Sequence, residues 1–175
     1  MQPTTATQMA VDVNGRFIQR FLNAVDRVSD RLGISVPAVV HLEPLRQLPP
    51  GTLGRSLADH LDQQQFRPFT TGPRRKQLHD AVHVLTGYDT SPIGEAEVQA
   101  FLLGAKFHPA QIALGLGTLR LVYKHCPSCP HLWQRLWQAY QRGQASTFDV
   151  DRWQPETQWA LPLTQVQTLF HLNHR

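Results

Sequence analysis

The sequence predicts an almost wholly α-helical fold, a single-domain bundle of about seven or eight helices with an apolar groove. Three observations predict it. Apolar residues recur at three- and four-residue steps along most of the chain. No segment shows the period-2 alternation of a half-buried strand. Ser-Pro, Pro and Gly residues fall where helices should start and stop. The 175 residues suffice for one buried core, and no repeat at a solenoid period is visible.

Residues 1–12 are rich in Thr, Gln and Ala and read as a disordered tail, leaving 13–175 as the helical domain. From Asn14, the spacing of Phe17, Phe21, Val25, Val28 and Leu32 predicts a helix that Gly33 ends at its C′ position. Ser35 and Pro37 open a second helix, which Pro44 should break or end. Leu53, Leu57 and Leu61 place a helix through TLGRSLADHLDQQ. A polar loop over 67–73 leads to a helix over 74–86 that stops near Gly87. Ser91 and Pro92 form an N-cap and N1 pair for the next helix. Pro109 starts the Gly-interrupted AQIALGLGTLRLVYKH, and Pro127 and Pro130 bracket a turn. Helices over 131–142 and 155–171, the latter offset at Pro162, complete the chain.

Composition narrows the function. Only 17% of residues are charged while 41% are hydrophobic, against about a quarter charged in ordinary soluble domains. Such a chain has apolar surface for a partner, a ligand or a bilayer. The net charge of +4 suits an anionic membrane surface or ligand but is too scattered to argue for nucleic acid. No apolar run approaches the roughly 20 residues that span a bilayer. The N-terminus, with Asp12, Asp26 and Asp30 among its arginines, reads as neither a secretory signal nor a transit peptide. Two cysteines point to a reducing compartment without a disulfide framework.

Potential metal ligands gather in LHDAVHVLTGYDTSPIGEAE, residues 78–97. On a helix, His79 and His83 stand one above the other, with Asp80 on the flank. Past the Gly87 turn, Glu95 falls in the first turn of the following helix, where a carboxylate is favoured. Two imidazoles with one or two carboxylates suit Zn²⁺, Fe²⁺ or Mn²⁺. HxxxH is nevertheless common on helices, and periodicity does not choose between Glu95 and Glu97. Cys126 and Cys129 in HCPSCPH form half a zinc knuckle with no second half, and read as a Pro-kinked turn with two thiols. The Arg74, Arg75, Lys76 run opposes the helix dipole one turn before the histidines, a local misfit that suggests function.

HDAVH, then eleven residues, then Glu95, resembles the HDxxH-x11-E signature of the fourth coenzyme Q (ubiquinone) biosynthesis protein family. PPGTLGRSLADHL upstream, LTGYDTSPIGEAEVQAF downstream and DRWQPETQWALPLTQVQTLF near the C-terminus are similar to the same family, over about residues 45–172. The resemblance implies a helical protein with one divalent metal per chain, usually called zinc, held by His79, Asp80, His83 and Glu95, which settles the choice of glutamate. It implies partners as well: a prenylated quinone precursor, other quinone biosynthesis enzymes and a membrane surface, with a homodimer left open. Cytoplasmic placement at the inner face of the membrane is implied, on the matrix side of the mitochondrial inner membrane in eukaryotic relatives. The chain departs from eukaryotic members in lacking a presequence.

Two functions follow from the resemblance. One is metal-dependent oxidative decarboxylation at C1 of a prenylated hydroxybenzoate, with iron better suited to the redox chemistry than zinc. The other is a non-catalytic scaffold that presents a prenylated intermediate while the metal staples two helices. In both, Arg74, Arg75 and Lys76 are expected at the substrate head group. Leu114, Gly117 and Leu121, on one helical face, are expected to line an isoprenoid groove.

Overall fold

Leu53, Leu57 and Leu61 are fully buried, and their four-residue spacing makes one stripe of a helix that Thr52 caps by accepting a hydrogen bond from the Arg55 amide. Burying each such leucine contributes about 1.5–3 kcal/mol, so this stripe anchors the main core. The computed structural model describes residues 27, 31, 33–107, 109–126 and 129–172. The side chains of 109–111, 113, 114, 121 and 125 lie outside that description. So do the expected tail and the Phe17–Leu32 stripe, of which only Arg27 and Arg31 are described, both helical.

Eight α-helices and one 3₁₀ turn make up the described residues. They are α1 (Leu42–Arg46), α2 (Leu53–Gln64), α3 (Arg74–Gln77), α4 (His79–Thr86), α5 (Pro92–Ala105), α6 (Pro109–His125), α7 (Leu132–Ala145) and α8 (Leu163–Leu169), with the 3₁₀ turn at Pro155–Thr157. Extended pairing among them is confined to two isolated bridges, Ser35 with Pro73 and Thr52 with Pro162. The all-α, single-domain expectation therefore holds.

Several boundaries differ from the sequence reading. Ser35 pairs with Pro73 rather than opening a helix, and Pro44 lies inside α1, in the first turn, where no intrahelical N–H bond is lost. The expected 74–86 helix breaks at Leu78, whose φ of −92° and ψ of 2° separate α3 from α4. The 155–171 helix is a 3₁₀ turn followed by α8, with Pro162 as the N-cap residue of α8. Gln77, which the sequence did not single out, holds the segment before α1. Its Oε1 accepts from the Val39 amide at 2.9 Å, and its Nε2 donates to the carbonyls of Val36 and Gly72.

α5 is the central element, packed against both α6 and α7. The α5–α7 crossing is close because it runs over glycines. A Cβ on Gly104 would lie 2.1 Å from the Tyr140 carbonyl oxygen, and one on Gly143 would lie 2.1 Å from that of Phe101. The other glycines of the Gly-rich stretch differ. Among the described residues, Gly115 would meet the Gln99 Cβ at 3.9 Å, and nothing lies within 4 Å of a Cβ on Gly117.

Cys126 and Cys129 are joined in a disulfide with a Cα–Cα distance of 5.4 Å. This corrects the reading of two free thiols. The turn between α6 and α7 brings the two Cα atoms within the range a disulfide spans, and the reducing compartment inferred from the cysteines loses its support.

Substitution tests the division of the glycines. Gly104→Ala or Gly143→Ala is expected to lower unfolding free energy by about 1–3 kcal/mol or more through overpacking. Gly117→Ala is expected to leave it unchanged or raised, by up to about 1 kcal/mol, from helix propensity. Urea denaturation of the three variants measures both, and equal losses at all three positions would contradict the assignment.

Candidate metal centre

The short connection between α4 and α5 sets the geometry. Gly87 ends α4 in the left-handed region at φ +74°. Ser91 accepts from the Gly94 amide at the start of α5, and Asp89 accepts from both the amide and the hydroxyl of Ser91. The turn lies so close on α5 that a Cβ at Gly94 would come within 2.1 Å of the Asp89 carbonyl oxygen. With the turn fixed, Glu95 in the first turn of α5 faces the histidine pair of α4.

Three ligand atoms converge. His79 Nε2 lies 3.2 Å from His83 Nε2 and 3.4 Å from Glu95 Oε1, and His83 Nε2 lies 3.3 Å from the same oxygen. The two rings meet edge to face at 82°, with their Nε2 atoms adjacent. An ion held tetrahedrally at 2.0–2.1 Å requires ligand atoms about 3.3–3.4 Å apart. The three edges are of this size before any ion is considered, so the residues fit a divalent metal.

Hydrogen bonding orients the set. His83 is buried, and its Nδ1–H donates to the Tyr88 carbonyl at 3.1 Å. That bond turns the His83 Nε2 toward the cluster, as outer-shell partners do for metal-binding histidines. His79 and Glu95 keep 28% and 27% of their side-chain surface exposed, so the cluster opens to solvent on their side.

Without a metal, the cluster holds a proton. Burial raises the Glu95 pKa, but hydrogen bonds from His79 and His83 and their charges outweigh it and bring the carboxyl down to about 2. Burial lowers the His79 pKa, but the hydrogen bond and charge of Glu95, helped by Asp80, leave it raised. Below that raised value His79 and Glu95 form an imidazolium–carboxylate pair.

Asp80 does not join the three converging ligand atoms. It is buried, and burial holds its carboxyl above the usual range despite His79, His83 and His60 nearby. Glu97 points away from the cluster, paired with Arg135 at 2.7 and 2.8 Å. Arg74 and Arg75 are engaged elsewhere. Arg74 pairs with Glu156 and donates to the Trp153 carbonyl, and Arg75 forms a two-pronged pair with Asp151. Lys76 sits over the Phe69 ring at 5.1 Å. Of the groove residues, Gly117 is exposed, and the side chains of Leu114 and Leu121 lie outside the described residues.

Sequence reasoning missed His60. Its ring stacks near that of His83, with centroids 6.4 Å apart and 11° between planes, and its Nε2 is buried without a hydrogen-bond partner among the described residues. The signal was present: His60 is three residues after Leu57 and seven after Leu53, on the buried stripe of α2.

Protons compete with a metal for His79, so the raised pKa sets a pH dependence. Metal affinity is expected to fall as pH drops through the raised value, starting above the 6.5 of an ordinary histidine. In the metal-free protein, the His79 contribution to stability has the opposite sense: full below 6.5 and lost as pH rises through the raised value. The Glu95 contribution is present above 4.5 and lost only as pH falls toward 2. Competition with a chromophoric chelator between pH 6 and 8.5 measures the affinity; a flat profile would contradict this proton account. His79→Ala and His83→Ala are each expected to remove most bound metal, and Glu97→Gln to leave it unchanged.

Comparison with known proteins places this chain in a family. The family described as Coenzyme Q (ubiquinone) biosynthesis protein Coq4 matches residues 7–170. The chain is 30% identical over 109 residues to the human mitochondrial ubiquinone biosynthesis protein COQ4 homolog, covering 49% of this chain and 40% of that protein. It is 29% identical over 99 residues to the homolog of Xenopus tropicalis, covering 43% of this chain and 35% of that protein. The alignments therefore span well under half the length of these relatives. A Nostoc punctiforme crystal structure named for ubiquinone biosynthesis superposes with a TM-score of 0.67 at 22% identity, over 98% of this chain and 83% of that one, which shows a shared fold. Because the family match runs from residue 7 to residue 170, the chain belongs to the Coq4 family of coenzyme Q biosynthesis proteins.

Proposed function

We propose that this chain binds one divalent metal ion through His79, His83 and Glu95 and acts on a prenylated ring intermediate of quinone biosynthesis, replacing the C1 carboxylate of a prenylated hydroxybenzoate by hydroxyl with release of CO2. The observation that carries the reading is the convergence of two imidazole nitrogens and one carboxylate at metal-ligand spacing. Three protein ligands leave a position for water or substrate, as catalytic sites do. A bound metal would supply Lewis acidity and, if it is iron or manganese, a redox centre for dioxygen. Zinc, the family's usual assignment, would supply only the first.

The chain's own residues set the conditions. Tyr88 holds His83 through its carbonyl, which turns the other ring nitrogen toward His79 and Glu95. His79 must give up its proton for the ion to be held. Asp80, whose buried carboxyl lies within electrostatic reach of both histidines, would stand beside this ligand set and leave the fourth position open. Open space at Gly117 supports a groove for the isoprenoid tail there, with Leu114 and Leu121 as its other lining. Among the described residues no helix is long and apolar enough to cross a membrane. Access to a lipid-dissolved precursor would therefore rest on peripheral contact with the membrane, beside other quinone biosynthesis enzymes and in a monomer or homodimer.

A specific observation favours the scaffold reading. Arg74 and Arg75, the expected head-group residues, are committed to Glu156 and Asp151, so substrate recognition by them requires those pairs to exchange. Turnover decides between the readings. Protein loaded in turn with Fe²⁺, Mn²⁺ and Zn²⁺ is incubated with a prenylated hydroxybenzoate under air, with an electron donor for the second oxygen atom of dioxygen. The expected outcome is CO2 and a C1-hydroxylated ring with a redox metal and none with His83→Ala. Tight binding of the ring compound without turnover on any metal would leave the scaffold.

A further inference from the structure

Residues 98–148 contain five Lys or Arg and no Asp or Glu, although the chain has 13 acidic residues in all. This acid-free segment comprises most of α5 and all of α6 and α7. It also carries most of the large exposed apolar side chains among the described residues. On α6, Ile112, Leu116 and Tyr123 are 45%, 64% and 47% exposed, and on α7, Trp133 and Trp137 are 63% and 58% exposed. Their spacing puts each set on one helical face. Arg120 and Lys124 are exposed on the same side of α6. The opposite sides of both helices are buried together in one cluster of Ala96, Val122, Leu132 and Leu136. The outward faces are therefore what the packing leaves uncovered.

We infer that this outer face of α6 and α7 is the surface by which the chain docks on an anionic lipid bilayer. The inference rests on the peripheral membrane contact proposed above and locates it. Charge complementarity selects the occupant. Lys and Arg without intervening carboxylates attract anionic headgroups, and their alkyl stems let the charge reach the headgroups while apolar neighbours go deeper. Trp and Tyr are the side chains that settle at the membrane–water interface. Trp137 stacks on Tyr140 with ring centroids 5.5 Å apart, so the aromatic part of the face is ordered before it meets lipid. The remaining outward positions of α7 are Gln134, Gln138, Gln141 and Gln144, polar and uncharged, and Ala145 at its end, which an interfacial helix tolerates.

Flotation of the full chain with phosphatidylcholine vesicles, with and without about one third phosphatidylglycerol, tests the inference. Wild type is expected to float with the anionic vesicles and to be released by high salt. Two exposed basic residues each contribute roughly fivefold to binding. Arg120→Glu with Lys124→Glu is therefore expected to weaken it about tenfold or more, and Trp133→Ser with Trp137→Ser by a similar factor. Arg152→Glu, at an 88% exposed side chain outside this segment, should leave binding unchanged. Circular dichroism and bound metal should match wild type in all variants. Wild type that floats with neither vesicle overturns the membrane contact itself. Wild type that floats, with the face variants floating equally well, overturns this face alone. A dimer in sizing experiments that the Trp variants dissociate, with no flotation, would make the face a contact between two copies and overturn the lipid assignment.

Discussion

A carboxylate held between two imidazoles at the junction of α4 and α5 is the constraint on which the rest of the structure turns. Glu95 stays ionised down to about pH 2 only because His79 and His83 both face it, and they face it only because the Gly87–Ser91 turn is tight. That turn places the Tyr88 carbonyl against His83 Nδ1 and the Asp89 carbonyl against Gly94. The same few residues therefore fix the angle between two helices, the tautomer of one histidine and the separation of three ligand atoms. A polar cluster of this kind needs every partner in place, since a half-satisfied one costs more than an apolar contact.

α5 connects this cluster to the rest of the bundle. Its first turn carries Glu95, and the next residue, Ala96, belongs to the cluster that seats α6 and α7. Farther along, Gly104 lies on the Tyr140 backbone, and Glu97 is paired with Arg135 of α7. In sequence, acidic residues flank the acid-free segment 98–148 on both sides, ending at Glu97 before it and resuming at Asp149 after it. One helix thus joins the proposed chemistry to the proposed membrane face, which would let a lipid-borne substrate meet a metal without either element leaving the bundle.

Most of the helices were legible because their apolar spacing and Ser-Pro or Gly punctuation agree, as in α2 and α5. The site was legible because His79 and His83 are one helical turn apart and Glu95 is fixed by a short turn, so sequence distance nearly determines spatial distance. Where long-range packing decides, the sequence was silent or misleading. Pro44 reads as a breaker but sits in a first turn, and Leu78 interrupts a helix that periodicity runs straight through. His60 reaches the site from α2, and no local pattern announces a contact across helices. The arginines of α3 looked like spare cations because their partners, Asp151 and Glu156, lie far along the chain. Cys126 and Cys129 looked like free thiols because the closure of their turn is a property of the helices it joins.

The central claim is that one divalent ion is held by two histidines of α4 and a glutamate of α5. X-ray absorption spectroscopy of the metal-loaded protein tests it most directly, because imidazole scattering counts the histidines and sulfur is distinct from nitrogen and oxygen. The account predicts a first shell of light atoms with two imidazoles and no sulfur, reduced to one imidazole in His79→Ala protein that retains any metal. A sulfur ligand, or a two-imidazole signal that survives the loss of His79, would place the metal elsewhere in the chain.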